Sequence, residues 1–108
     1  MFDVTIIQNL TKLVDETSER PISNQMVYKD DNVRVILFRF AAGKGLSEHT
    51  SDKPAVLHFL QGDAKVTLGD KTISAEAGTW VHMPPKLPHS IMAQTPVYML
   101  LQILTGGK

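Results

Sequence analysis

The strongest constraint on this chain is a series of short, apolar-alternating segments, each ended by glycine, proline or a polar turn, with no long helical period between them. The clearest stretch is AKVTL at 64–68, where Ala64, Val66 and Leu68 fall on one side and Lys65 and Thr67 on the other. That period of two belongs to a strand with one buried face. Gly69-Asp70-Lys71 then turns the chain into TISAE at 72–76, which predicts a hairpin. Further strands are expected at 22–28, 33–40, 55–60, 79–83, 89–92 and 97–104. In the first, Ile22, Met26 and Tyr28 are expected on one face. In VRVILFRF at 33–40 both faces are largely apolar, which fits a strand inside a sandwich or barrel. Ala41–Lys53 reads as a loop, and Pro84, Pro85 and Pro88 stiffen another. The segment 9–14 predicts one helical turn with Asn9 as its N-cap. Many short strands with this punctuation predict an all-β sandwich or closed barrel.

Composition narrows the function classes. The chain has 108 residues, suited to a single domain over 1–108. Eleven Lys and Arg stand against eleven Asp and Glu, mixed along the chain, so no basic stripe marks a nucleic-acid partner. There is no cysteine, hence no disulfide framework and no thiolate metal site. No basic-then-apolar leader opens the chain and no apolar run is long enough to span a membrane, so a soluble, cytoplasmic protein is expected.

Two spaced landmarks add a family signal. Gly43 is followed after five residues by His49, and Gly62 closes that stretch; Gly78 is followed after five residues by Pro84, and then by His89. Within this strand pattern the spacing resembles the two motifs of the cupin superfamily, in particular its compact single-domain conserved-barrel (cupin type-2) members. The resemblance covers about residues 25–104 and implies a jelly-roll barrel, also called a double-stranded β-helix. The segment 1–24 would then pack on the barrel or pair with a partner chain.

The departures from the motifs bear on function. The resemblance implies metal ligands at His49, at position 51, at position 55 and at His89, but Ser51 and Ala55 occupy two of these. Lys86 stands where the motif has a glycine, and Ala93 where it has an asparagine. His49 and His89 are therefore candidate ligands for iron, manganese, nickel, copper or zinc only if water or a small molecule completes the shell. Otherwise they are two retained polar groups of a pocket. Strand parity turns His58 outward if Ala55 faces in, and His82 shares a face with Trp80. A bulge could re-aim either ring, so both stay as alternative ligands. Glu48, Asp52 and Lys53 read as solvated loop charges.

If the barrel forms in this way, Ser51, Ala55, Leu57, Phe59, Val66, Leu68 and Met83 would line the pocket around the two histidines, with the facings of Trp80 and Met92 open. Three functions follow. The chain binds a small molecule in an apolar pocket with a degraded metal site; or it is a metal-dependent dioxygenase or isomerase on a small organic substrate; or it is a non-catalytic structural or interaction module. A homodimer is expected, because strands 33–40 and 97–104 offer apolar outer surface. Light scattering that found a monomer at micromolar concentration would overturn that expectation.

Overall fold

A computed structural model describes residues 2–15 and 19–107. It contains one short 3-10 turn, Leu10–Leu13, and nine strands: β1 (Ile22–Lys29), β2 (Val33–Phe40), β3 (Gly45–His49), β4 (Ala55–Gln61), β5 (Ala64–Leu68), β6 (Lys71–Ala75), β7 (Trp80–Met83), β8 (His89–Ala93) and β9 (Val97–Leu104). They form two antiparallel sheets, β1-β2-β9-β4-β7 and β3-β8-β5-β6. Among the described residues no helix is long and apolar enough to cross a membrane.

The facing sides of the two sheets make the core. Phe40, Leu57, Phe59, Val97 and Met99 from the first sheet meet Ala64, Val66, Ala75, Ile91 and Ala93 from the second. Alternation along β5 shows how sequence drives this: Ala64 and Val66 are fully buried while Lys65 stays exposed, its Nζ donating to Ser74 Oγ across β6 at 2.7 Å. The β5–β6 connection is the two-residue turn Gly69-Asp70, and Gly69 takes φ +65, the left-handed value that a type II′ turn needs at that position.

A second, outer layer explains why β2 is apolar on both faces. Leu10 and Val14 from the N-terminal segment pack on Leu37, Tyr98 and Leu100, and the Tyr98 hydroxyl donates to the Val14 carbonyl at 3.1 Å. The chain's own N-terminal segment thus covers part of the outer surface of β2 and β9, at Leu37, Tyr98 and Leu100. Arg39 is only 8% exposed on the same face, and its Nε has no hydrogen-bond partner among the described residues. What remains outside is the segment's own apolar row, with Phe2, Val4 and Ile6 each more than 70% exposed.

Local expectations need correction at two places. Tyr28 does not share a face with Ile22 and Met26: Met26 registers with Ile36 but Tyr28 with Val35, so a bulge at Val27 reverses the parity. Ala41–Lys53 is not all loop, since it contains β3. That strand has the second sheet only on one side, no residue of it is fully buried, and so it carries no alternating apolar signal. The 3-10 turn does begin after Asn9, but the Asn9 side chain makes no capping bond.

Between β1 and β2, Asp30 accepts from the backbone N–H groups of Asn32 at 2.7 Å and Val33 at 3.0 Å, and from the Tyr28 hydroxyl at 2.7 Å. The hydrogen bond from Tyr28 and those backbone donors hold the Asp30 carboxyl below its ordinary range, and the same contact raises the Tyr28 phenol.

Candidate functional site

The site begins with a strand register. β3 runs antiparallel to β8, and after an irregularity between Leu46 and His49 the two histidines are direct cross-strand partners. Their rings lie 4.3 Å apart between centroids and are tilted by 58°. His89 is buried at 6% exposure, whereas His49 is exposed, so the pair runs from the interior to the rim.

Each ring is oriented in the same way. His49 Nδ1 lies 2.8 Å from the Ser47 carbonyl oxygen, and His89 Nδ1 lies 2.8 Å from that of Leu87. A carbonyl oxygen can only accept, so both Nδ1 atoms carry the proton and donate. In the neutral rings this leaves an Nε2 lone pair on each as an acceptor.

Below the rings is a cavity of about 210 Å³, lined by His49, Ser51, Lys53, Ala55, Met83, Pro84, Leu87, His89, Leu101 and Ile103. It is smaller than the roughly 300–1,000 Å³ of pockets that take drug-sized ligands. Of the residues expected to line it, Ser51, Ala55 and Met83 do. Leu57, Phe59 and Val66 do not: they share the inward face but are at most 1% exposed and belong to the packed core, and Leu68 packs against that core. A small barrel is filled by its own side chains over most of its depth, which leaves space only at one end.

His58 and His82 are not candidate ligands in this fold. His58 registers with Trp80 and with Leu100, and His82 with Val56, so both occupy the outer face, opposite Ala55 and Met83. Trp80 is 61% exposed on that same face, and Met92, 51% exposed, lies on the outside of the other sheet.

The cavity also uses residues that the sequence pattern does not reveal. Leu101 and Ile103 register with Leu57 and Ala55, but β9 is apolar at nearly every position and shows no phase. Lys53 comes from a polar loop held by two bonds: its N–H donates to Ser51 Oγ at 3.2 Å, and the Lys86 N–H donates to the Ser51 carbonyl at 2.7 Å.

Lys86 makes that second bond at φ +68, the conformation that glycine adopts without penalty. A left-handed conformation costs an L-residue about 1–2 kcal/mol, against about 0.5–1 kcal/mol for the extra unfolded-state freedom of glycine. Lys86→Gly is therefore expected to stabilise the domain by about 0.5 kcal/mol, a rise of about 3 °C in melting temperature. A fall on calorimetry would show that the lysine side chain compensates for its backbone.

Solved structures with a similar fold are known. A cupin superfamily protein from Desulfitobacterium hafniense superposes with a TM-score of 0.80 at 25% identity, over 88% of this chain and 86% of that one. An RmlC-like cupin from Methanocaldococcus jannaschii, described as a double-stranded β-helix, gives 0.72 at 14% identity, over 84% of this chain and 85% of the other. The chain has the cupin fold. A conserved protein of unknown function from Streptococcus pyogenes shares the fold as well, with a TM-score of 0.81 at 20% identity over 99% and 93% of the two chains. No protein-family model and no curated protein matches this sequence.

A cupin barrel invites a metal, and the donor set tests that idea. Among the described residues no group of three or more His, Cys, Asp or Glu is placed to hold an ion. Ser51 Oγ is engaged in its own turn and Ala55 has no donor atom. Two imidazoles do not fit a resident mononuclear centre, which takes three or four protein ligands.

Proposed function

We propose that this cupin barrel binds a small organic molecule in the cavity beside His49 and His89. One observation carries the reading: an apolar cavity sized for a small metabolite meets two convergent imidazoles whose protons are already committed to backbone carbonyls. A binding site needs an apolar body for affinity and a few fixed polar groups for orientation, and both are present. Prior fixing of the rings by Nδ1–H bonds lowers the ordering cost of binding. The two Nε2 acceptors select a ligand with O–H or N–H donors.

The same ring pinning supports a second reading, because metal-bound histidines usually donate their other N–H to a carbonyl or carboxylate. In that reading a divalent iron, manganese, nickel, copper or zinc ion enters with a ligand that brings the missing donor atoms.

Thermal-shift screening of a metabolite library, with a His49→Ala/His89→Ala double variant alongside, tests the first reading. A ligand at a hundred times its Kd stabilises by about 2.7 kcal/mol. A shift of about 11–22 °C is therefore expected in the native protein and not in the variant. Equal shifts in both proteins would remove the histidines from the site. Stoichiometric metal retained by untagged native protein in elemental mass spectrometry, and lost in the variant, would replace the first reading by the second.

A further inference from the structure

A single charged side chain borders the cavity. Of its ten lining residues, Lys53 alone is formally charged with the histidines neutral, and no Asp or Glu is among them. The neighbouring acids lie elsewhere: Glu48 is exposed on β3 and is not part of the lining, and Asp52 borders an adjoining groove with Pro54, Pro85 and Leu104, a groove Lys53 also touches. No carboxylate among the described residues pairs with the Lys53 ammonium. The loop that carries it is nonetheless fixed, through the bonds of Ser51 to Lys53 N–H and Lys86 N–H. The rest of the lining is Ala55, Met83, Pro84, Leu87, Leu101 and Ile103.

We propose that the ligand is a small carboxylic acid bound as its anion, its carboxylate on Lys53 and its hydrocarbon part against Leu87, Leu101 and Ile103. This rests on the reading that the cavity binds a small molecule. One ammonium with no guanidinium and no glycine-rich cradle among the lining residues matches a single negative charge better than a phosphate dianion, which takes an array of donors. With Nδ1–H held by a backbone carbonyl, the Nε2 lone pair of each ring is an acceptor, suited to a hydroxyl and not to the carboxylate. The rings take a hydroxyl on the same ligand. A hydroxylated, branched short-chain acid satisfies all three parts of the site.

The test uses 2-hydroxy-4-methylpentanoate and its primary amide, which differ in charge and little in shape. Titration calorimetry on the native protein is expected to show the acid binding about two- to fivefold more tightly than the amide. That preference should shrink as salt rises, because Lys53 is solvent-exposed. Lys53→Met should abolish the preference for the acid over the amide, and Lys53→Arg should keep it. An amide that binds as tightly as the acid, or an acid indifferent to Lys53→Met, would overturn the anionic ligand. If that binding is still lost in the His49→Ala/His89→Ala variant, the small-molecule site itself stands. If neither probe nor any library compound binds the native protein, both the anionic ligand and the small-molecule site fall.

Discussion

Gly45→Ala is expected to lower the melting temperature by about 15 °C and to abolish ligand binding together with it. A Cβ on Gly45 would lie 1.8 Å from the Ile91 carbonyl oxygen, 2.7 Å from its carbon and 3.0 Å from Met92 Cα. All three are backbone atoms, so no side chain can swing away to make room. The strand must instead separate from β8, its sole neighbour in the sheet. Overpacking of this kind costs about 1–3 kcal/mol and occasionally more, and a rigid backbone contact belongs at the upper end. For a domain of this size 3 kcal/mol corresponds to about 12–24 °C. The functional loss follows from the same movement, because His49 faces His89 only through the β3–β8 register. Gly107→Ala is the control, since nothing lies within 4 Å of its added Cβ. A Gly45→Ala protein that melts with the native one would show that β3 moves aside freely, and the paired geometry of the histidines would lose its support.

Phe59→Ala should cost about 3–5 kcal/mol, a large part of the 5–15 kcal/mol that stabilises a typical domain. Phe59 is fully buried in β4, registers with Met99 of β9, and belongs to the core cluster shared by both sheets. Removing its ring leaves a cavity that close-packed neighbours cannot refill. Urea denaturation should show a lower midpoint with an unchanged slope. Trp80→Ala, which removes a larger ring that is 61% exposed, should change stability by no more than about 0.5 kcal/mol. Similar losses from the two substitutions would mean that the core and the outer face are misassigned.

The cavity and the core lie on the same inward face, and this accounts for the error in the expected lining. Facing is a property of one strand, because side chains alternate with a period of two. Depth along the barrel is not. Leu57, Phe59 and Val66 fall on the expected side but are packed, whereas Leu101 and Ile103 reach the open end from a strand whose sequence shows no phase. The same local rule is enough to turn His58 outward, since the buried Leu57 and Phe59 flank it in alternation.

By itself the sequence determined the all-β class, the β5–β6 hairpin, the ends of β2, β5 and β9, and the two spaced landmarks that resemble a cupin. Each of these is encoded locally, in alternation, turn residues or short spacing. Tertiary structure alone decided the rest. It added β3, which has no buried face to leave a pattern. It brought His49 opposite His89, pinned each ring to the carbonyl two residues before it, and set Lys53 against an apolar cavity. Those outcomes depend on register between strands far apart in the chain, and register is set by the packing of whole sheets, which no short stretch of residues contains.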